Sequence, residues 1–464
     1  MIFRQLINDD LGCASYLIGD EKAGVAAVVD PRLEVEEYLA LARFMSVDIA
    51  HVIETHTHAD HVSGHGRLAV ATGAVIHVHR DAGAEYDHDP IGEGWSLDLG
   101  AVRVVALHTP GHRPEHTAFA LVDSTRGPEP WAVLTGDSLF VGDVARPDLA
   151  VTAEEGARDI FRSLHGGLLG MAPEVEVWPG HLGGSMCGGP AMSMKVSSTI
   201  GFERSHNPQL AERDEDRFVR ASIAAIGPQP PNFRRIVGIN RGPLMTMDAA
   251  ELPMTPAQVR RRQAQGALVI DVRAEIQFDD VHIPGAVAVT SQRAGFGTRL
   301  GWLAPPGQEV VLVGRDDEEA RRAARLAAAV GIDGVVGHLA GGMTSWRQED
   351  LPVARIPRLD VAALVDRLDD DRMDAVQLID VRETSEWRRV RIPGALHRPW
   401  HALRDRVPEL DPARPVAVIC ASGQRAAIGA SLLARHHAAE VIHVAGGGVE
   451  EWAALGRPVE REGS

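Results

Sequence analysis

The chain has 464 residues, which is too long for one ordinary domain and suits about three. Its hydrophobic fraction of 45% and charged fraction of 24% are those of a globular protein. The formal net charge of −17 argues against a nucleic-acid-binding surface, and no cluster of lysine and arginine stands out along the chain. We therefore expect small-molecule partners and no nucleic acid.

The amino terminus and the cysteines bear on the cellular compartment. The first ten residues lack a basic segment followed by an apolar stretch, and no apolar run approaches membrane-spanning length. Cys13, Cys187 and Cys420 are far apart and odd in number, so they predict free thiols. These features predict a cytoplasmic protein that does not bind a membrane. A homo-oligomer is one of the states that the sequence leaves open.

The chain begins with elements typical of a mixed α/β fold. Residues 13–30 contain two strand-like runs joined by a turn, which predicts a β-hairpin. Cys13 begins the first of these runs, and its small size suits a buried position better than a catalytic one. Apolar residues at helical spacing then predict a helix over 35–46, which leads into a β-rich run at 49–53.

Residues 54–66 read ETHTHADHVSGHG and place five metal-ligand side chains within ten residues: His56, His58, Asp60, His61 and His65. A spacing of two puts the first two histidines on the same side of an extended segment. Asp60 is expected to open a helix, and the turn into that helix would direct Asp60 and His61 toward the same point. Because imidazole and carboxylate suit zinc or iron, this stretch predicts a metal site.

Three later segments each bring one further ligand to the end of a strand. His112 follows a strand-like run at 102–107, Asp137 follows one at 132–134, and His181 follows one at 175–180. The order HxHxDH, then His, Asp and His, resembles that of the metallo-β-lactamase superfamily over roughly the first half of the chain. The resemblance implies an αβ/βα sandwich with the metal at one edge of two packed sheets.

The segments around these ligands indicate which branch of the superfamily the chain resembles. Residues 142–149, the glycine-rich run 183–189 and residues 197–208 are similar to the persulfide dioxygenase branch of the superfamily. The glyoxalase II branch carries an added helical substrate domain, whereas this chain runs into proline- and glycine-bearing sequence. His116 matches no ligand of either branch, so we expect it behind the ligands or at the surface.

The persulfide dioxygenase resemblance implies one ferrous iron per chain, held by His56, His112 and Asp137. Three protein ligands on one face of an octahedron leave three positions, enough to bring a persulfide sulfur and O₂ together on one redox-active metal. Zinc has no accessible redox chemistry. Zinc or a second metal is still not excluded, because the residues that elsewhere complete a two-metal hydrolytic site are all present: His58, Asp60, His61 and His181.

Arg146 is a candidate substrate-binding residue in the segment 142–149. Its guanidinium could hold a carboxylate or phosphate of the thiol carrier through a bidentate contact. A structural salt bridge with a neighbouring loop carboxylate is an equally weighted interpretation.

The second half of the chain repeats itself. The proline-rich run 228–231 cannot continue the helix expected over 211–225, and we expect a boundary there. From about residue 254, the IDVR segment at Asp271 recurs at Asp380, an offset of 380 − 271 = 109 positions. Each copy alternates strand-like and helical runs, which predicts a parallel sheet with flanking helices. We expect both aspartates to support the fold through hydrogen bonds.

The two copies resemble rhodanese domains, and they differ at one chemically decisive position. In the second copy, the strand 416–419 ends at Cys420, and the loop that follows leads into a helix, as in a sulfurtransferase. Backbone N–H groups of such a loop favour a thiolate and later a persulfide anion, and Arg425 adds a positive charge. In the first copy, Gly314 stands in place of the cysteine and acidic residues follow it, so we expect a structural or docking unit.

Together these patterns predict an α/β protein of three domains. They are an αβ/βα metallo-β-lactamase sandwich at 1–245, an inactive rhodanese-like parallel-sheet domain at 250–355 and an active one at 356–464. The resemblances imply oxidation of a low-molecular-weight thiol persulfide with O₂ to sulfite, and transfer of sulfane sulfur through Cys420 to form or use thiosulfate. A two-metal thioester hydrolase of the glyoxalase II kind and a non-catalytic sulfur-relay or sensor module are the alternatives.

Overall fold

The computed structural model describes residues 1–189, 191–245, 252–369, 376–406, 408–436 and 439–462. The chain forms two compact units, Met1–Asp248 with Ala329–Gly331, and Ala249–Ala328 with Ile332–Ser464. The predicted boundary between residues 245 and 250 falls at 246–251, outside the described residues. The three-domain division therefore stays a prediction. No helix in the described ranges is long and apolar enough to cross a membrane.

The first unit opens with a six-stranded sheet whose strands follow one another in sequence order. The first three strands pair antiparallel and the remaining three are added in parallel. The strands are β1 (Ile2–Ile7), β2 (Ala14–Asp20), β3 (Val25–Val29), β4 (Asp48–Ile53), β5 (Val75–His79) and β6 (Asp89–Ile91). The hairpin predicted over residues 13–30 is formed by β2 and β3.

A second six-stranded sheet has the order β14-β13-β10-β9-β8-β7, and a two-stranded ribbon lies outside it. The strands of the sheet are β7 (Ser96–Leu99), β8 (Val102–His108), β9 (Thr117–Asp123), β10 (Ala132–Gly136), β13 (Glu176–Pro179) and β14 (Ser198–Thr199), and the ribbon is β11 (Leu139–Phe140) with β12 (Asp143–Val144). In β8, the alternate residues Val102, Val104 and Ala106 are fully buried, whereas Arg103 is exposed. This period of two means that one face of the strand is covered by the core.

The helices of the first unit cover the outer faces of the two sheets. They are α1 (Glu36–Met45), α2 (His65–Thr72), α3 (Ala153–Gly166), α4 (Ile200–His206), α5 (Glu215–Ala224) and α6 (Phe233–Arg241), with a 3₁₀ turn at Leu168–Gly170. In the first sheet, Val28 packs with Tyr38 of α1, whereas its neighbour Val29 packs with Phe119 of the second sheet. Ile160 of α3 packs on the other side of that second sheet. The layers are those of the predicted αβ/βα sandwich, which is confirmed.

The metal-ligand segments lie where strands end, as predicted, but two expectations about nearby elements are wrong. The helix after β4 begins at His65, so Asp60 lies in a loop of bends and does not open a helix. The proline-rich run 228–231 lies inside the first unit, between α5 and α6. Proline density there ends one helix without ending the folded unit.

The second unit contains two five-stranded parallel sheets, one for each copy of the repeat. The central strands are buried at every position, as expected for a parallel sheet covered on both faces. The first copy contains β15 (Pro253–Met254), α7 (Pro256–Ala264), β16 (Leu268–Asp271), α8 (Glu275–Asp280), β17 (Val287–Ala288), α9 (Phe296–Leu303), β18 (Val310–Val313), α10 (Asp317–Ala329), β19 (Val335–Leu339) and α11 (Gly342–Gln348).

The second copy repeats this order and adds a short antiparallel ribbon, β22 with β26. Its elements are β20 (Arg358–Leu359), α12 (Val361–Asp369), β21 (Gln377–Asp380), α13 (Thr384–Arg389), β22 (Val390–Arg391), β23 (Leu396–His397), a 3₁₀ turn at Trp400–Leu403, β24 (Val416–Ile419), α14 (Gln424–Ala434), β25 (Val441–Val444), α15 (Val449–Ala454) and β26 (Glu460–Arg461). The predicted rhodanese-like parallel sheets are confirmed.

The repeated aspartates support the fold, as expected. Asp271 accepts from Arg273 at 2.6 Å, and Asp380 accepts from Arg382 at 2.6 Å. All four side chains are buried. A buried guanidinium and carboxylate must neutralise each other, because either one alone would be costly to desolvate. Each pair therefore fixes the segment that follows the first central strand of its copy.

Candidate metal centre and cysteine loop

Three side chains of the first unit converge just beyond the ends of β4, β8 and β10. Nε2 of His112 lies 3.5 Å, and Nε2 of His56 lies 3.9 Å, from Oδ2 of Asp137. These three ligand atoms lie within 4.8 Å of one another, and each has no hydrogen-bond partner among the described residues. Fully buried polar atoms normally have partners. Three unpartnered ligand atoms directed at one point therefore suit a bound cation, and they are the predicted iron ligands.

Hydrogen bonds behind the two histidines direct the lone pairs of their Nε2 atoms toward this point. Nδ1 of His112 donates to the carbonyl oxygen of Arg146 at 3.0 Å. The hydroxyl of Thr55 donates to Asp30 at 2.8 Å and accepts from Nδ1 of His56 at 2.9 Å. Burial lowers the pKa of both imidazoles, and the nearby histidines lower the pKa of His56 further. Both rings are therefore neutral, as metal ligands must be.

Asp137 is held from two further directions. Its Oδ1 accepts from Nδ1 of His181 at 2.7 Å, and its backbone N–H donates to Nε2 of His116 at 2.9 Å. Burial raises the pKa of Asp137, but His181 outweighs burial and the pKa falls to about 2. Burial lowers the pKa of His116 to about 3, which keeps it a hydrogen-bond acceptor. His116 thus lies behind a ligand, which is one of the two positions expected for it.

His58 does not share the point at which His56 is directed. Its Nε2 lies 3.1 Å from Oε2 of Glu54 and 3.2 Å from Oδ1 of Asp30. Burial lowers the pKa of His58, but the two carboxylates outweigh burial and raise it well above its ordinary value. A protonated imidazole has no lone pair for a metal. The expected extended segment is not formed, because residues 54–64 form bends, but the rings of His56 and His58 still lie with their centroids 4.3 Å apart.

Asp60, His61 and His181 form a second group beside the three convergent ligands. Nε2 of His181 lies 2.8 Å from Oδ2 of Asp60, and Nδ1 of His61 lies 3.2 Å from Oδ1 of Asp60. Burial lowers the pKa of His181, but Asp137 and Asp60 outweigh burial and raise it to about 10. His181 is therefore a charged bridge between two carboxylates in this arrangement, and both of its ring nitrogens are engaged.

In the second unit, Cys420 directly follows β24, and α14 begins four positions later at Gln424. The backbone N–H of Gly423 donates to Sγ of Cys420 at 3.1 Å. Gly423 has a φ of +98°, and a Cβ there would lie 3.0 Å from Cα of Ala445, so the turn requires glycine. The thiol therefore receives a hydrogen bond from the loop that leads into the helix N-terminus, in the form that the sequence predicted.

The first copy has no room for a cysteine at the matching position. Gly314 directly follows β18 as Cys420 follows β24. A Cβ on Gly314 would lie 2.6 Å from the carbonyl oxygen of Asp316 and 2.8 Å from the backbone nitrogen of Ala320. Glu319 closes the loop further, because its carboxylate accepts from the backbone N–H of Arg315 at 2.6 Å. The first copy thus has no nucleophile at this position and no space for a side chain there.

Family models divide the chain in the same way as its folds do. Residues 8–181 match the model described as the metallo-beta-lactamase superfamily. Residues 255–349 and 360–455 each match the model described as the rhodanese-like domain. The chain belongs to the metallo-β-lactamase superfamily and carries two rhodanese-like domains.

Three known proteins illustrate what the chain is similar to. The mitochondrial persulfide dioxygenase ETHE1 of Mus musculus is 28% identical over 243 residues, 52% of this chain and 87% of that protein. The cytoplasmic hydroxyacylglutathione hydrolase of Arabidopsis thaliana is 33% identical over 173 residues, 36% of this chain and 62% of that protein. A solved metallo-beta-lactamase from Staphylococcus aureus is 27% identical, has a TM-score of 0.66 and covers 73% of this chain and 99% of its own.

The two arginines that the sequence suggested as site residues are both paired with carboxylates in the structure. Arg146 is buried and donates to both oxygens of Asp148 at 2.7 and 2.8 Å, so the structure favours the salt bridge over substrate binding. Arg425 donates to both oxygens of Glu386 at 2.5 and 2.8 Å. Burial lowers the pKa of Arg425, but Glu386 outweighs burial and raises it. The charge of Arg425 near the thiol is thus balanced by a partner that the sequence did not indicate.

Sequence reasoning missed three residues around the metal centre of the metallo-β-lactamase domain. Cys13 shares the second group with His181, and Cys187 lies beside Asp137 and His181. Burial raises the pKa of both thiols well above its ordinary value, so both are neutral. Asn240 of α6 donates to the carbonyl oxygens of two residues of the 54–64 loop at 3.0 and 2.8 Å. The glycine-rich run after His181 was a signal for Cys187, whereas Asn240 carries none.

We predict that His56 and His58 differ in their effect on metal content. His56→Gln removes a ligand atom, so metal binding should weaken roughly tenfold or more. His58→Gln keeps a side-chain N–H that can donate to Glu54 or Asp30, so this variant should keep most of its metal. Elemental analysis after anaerobic loading with ferrous iron, and separately with zinc, measures both. Equal losses in the two variants would contradict this assignment of the ligands.

Proposed function

We propose that the metallo-β-lactamase domain is a persulfide dioxygenase with one ferrous iron per chain, held by His56, His112 and Asp137. The observation that carries this proposal is the convergence of three buried, unpartnered ligand atoms, whereas Nε2 of His58 lies 3.1 Å from Glu54 and 3.2 Å from Asp30. The similarity to a mouse protein named persulfide dioxygenase supports the choice of reaction. One thiol persulfide, one O₂ and one water would give the thiol, sulfite and two protons. The sulfane sulfur is oxidised, and O₂ is reduced by four electrons.

Bound ferrous iron would supply redox chemistry and open coordination positions, which zinc does not offer for O₂. The protein's own part is to present three ligand atoms without rearrangement. Thr55 and the carbonyl oxygen of Arg146 orient the two imidazole rings, and His181 with His116 orients the carboxylate. Every one of these side chains is buried, so the surrounding core restricts their movement away from this geometry.

We further propose that the second rhodanese-like copy transfers sulfane sulfur through Cys420. The thiolate would attack the outer sulfur of a thiol persulfide, form an S–S bond and release the thiolate of the carrier. Sulfite would then take that sulfur from the enzyme persulfide, restore the cysteine thiolate and leave as thiosulfate. The reverse direction, in which thiosulfate loads the cysteine and releases sulfite, uses the same bonds. Sulfite formed by the first domain is thus a reactant for the second.

A two-metal thioester hydrolase is the second candidate for the metallo-β-lactamase domain. Asp60, His61 and His181 stand beside the three convergent ligands, and the hydroxyacylglutathione hydrolase of Arabidopsis thaliana is a relative. Two contacts disfavour it. His181 is engaged by carboxylates at both ring nitrogens, and Nε2 of His58 lies 3.1 Å from Oε2 of Glu54. A non-catalytic relay or sensor is disfavoured by the intact Cys420 loop.

We predict that Asp137→Ala removes metal and O₂ consumption but leaves sulfur transfer. The reason is that Asp137 is a ligand in one unit and Cys420 lies in the other. Anaerobically purified protein should contain about one iron per chain, the number that one set of three ligands holds, and should consume O₂ with glutathione persulfide. Thiosulfate sulfurtransferase assays provide the control. Two metals per chain with thioester hydrolysis and no O₂ uptake would favour the hydrolase.

We also predict that Cys420→Ser changes the product and not the oxygen uptake. A serine hydroxyl is a poor sulfur acceptor at neutral pH, so the variant should accumulate sulfite where the unmodified protein forms mostly thiosulfate. Ser422→Ala, an exposed residue of the same loop, is the matched control. Thiol-reactive labelling and chromatography measure both products. Undiminished enzymatic thiosulfate from Cys420→Ser, after subtraction of the spontaneous reaction of sulfite with persulfide, would contradict the sulfur relay.

A further inference from the structure

Asp279 of the first rhodanese-like copy contacts the second copy inside their common unit. It lies in α8, and its Oδ2 accepts from Nδ1 of His443 in β25 at 2.8 Å. The two residues are only 4% and 1% exposed, so water does not weaken the contact. The other carboxylate oxygen, Oδ1, has no hydrogen-bond partner in the described part of the chain. The contact with His443 is thus the main polar interaction of a buried charge.

His443 connects this carboxylate to the cysteine loop. Its Nε2 donates to the carbonyl oxygen of Gly423 at 2.9 Å, and the N–H of Gly423 donates to Sγ of Cys420 at 3.1 Å. A carboxylate and a carbonyl both accept, so both ring nitrogens of His443 are donors in this arrangement. Gly423 is therefore held at its carbonyl oxygen by the histidine and presents its N–H to the sulfur.

The carboxylate is specific to the copy that lacks a cysteine. The 109-residue offset aligns Asp279 with Arg388 of the second copy, since 388 − 279 = 109. His338 takes the strand position in the first copy that His443 takes in the second, because it pairs with Leu312 as His443 pairs with Val418. Both copies therefore carry a histidine at this strand position. Only the first copy carries an aspartate at the position of Asp279, and this aspartate contacts the histidine that is bonded to the cysteine loop of the second copy.

We propose that Asp279 is a positioning residue for sulfur transfer. It holds His443, which fixes Gly423 so that the backbone N–H of the loop meets the sulfur of Cys420 as thiolate and as persulfide. The inference rests on the sulfurtransferase activity proposed above. Under this inference, the first rhodanese-like copy contributes to the chemistry of the second copy, although the first copy has no nucleophile of its own. Loss of a direct backbone or side-chain donor to a reacting anion costs about 100-fold or more in kcat.

The test compares Asp279→Ala, Asp279→Asn and Asp280→Ala in the full chain. Asp280 is the exposed neighbour of Asp279 and is the matched control. Two quantities are measured: kcat/KM for thiosulfate with cyanide as acceptor, and the rate of alkylation of Cys420 by iodoacetamide, followed by mass spectrometry of its peptide. Because Asp279 acts indirectly, we expect both to fall about tenfold in Asp279→Ala, less than for a lost direct donor.

Asp279→Asn keeps an oxygen that can accept from Nδ1 of His443, so it should retain more of both rates than Asp279→Ala. This partial rescue also keeps the test valid if the alanine variant does not fold, because Asp279→Asn can then be compared with Asp280→Ala. Rates in Asp279→Ala, or failing that in Asp279→Asn, that equal those of Asp280→Ala would overturn the proposal. If the unmodified protein transfers no sulfur, the proposed function fails, and the alkylation rates still decide the role of Asp279.

Discussion

The contact of His58 with Glu54 and Asp30 is the interaction on which the proposed three-ligand metal centre depends. A histidine two positions after a ligand would otherwise be free to bind the same metal. Both of its partners are buried carboxylates, and together they raise the pKa of His58 well above its ordinary value although burial lowers it. The centre proposed here then consists of two neutral histidines and one aspartate.

Buried charges elsewhere in the chain are also neutralised by a partner side chain. His181 lies between Asp137 and Asp60, Arg146 is paired with Asp148, and Asp279 is paired with His443. Two of these pairs position a group that a ligand or reacting atom would meet: His181 orients the carboxylate of Asp137, and His443 holds Gly423, whose N–H donates to the sulfur of Cys420. The proposed chemistry therefore depends on the side chains that position the metal ligands and the cysteine loop as much as on the ligands and the cysteine themselves.

Much of the fold and of the site could be predicted from the sequence, because local patterns determine them. The strands end just before the candidate ligands. β24 spans the residues expected for it, Val416–Ile419, and Cys420 follows directly. The pairings could not be predicted. His58 meets Asp30, which directly follows β3, Arg425 meets Glu386 from another helix, and neither contact could be read from a spacing in the sequence. The helix that was expected to begin at Asp60 begins instead at His65. The loop before it is held by a hydrogen bond from Asn240 of α6 to the carbonyl oxygen of His61.

Anomalous X-ray scattering from crystals of anaerobically iron-loaded protein tests the central claim most directly. Difference maps from data collected above and below the iron absorption edge locate each iron independently of any activity. The account predicts one iron peak, within bonding distance of Nε2 of His56, Nε2 of His112 and Oδ2 of Asp137, with His58 still on Glu54 and Asp30. Two iron peaks, the second bound by Asp60, His61 and His181, would contradict it.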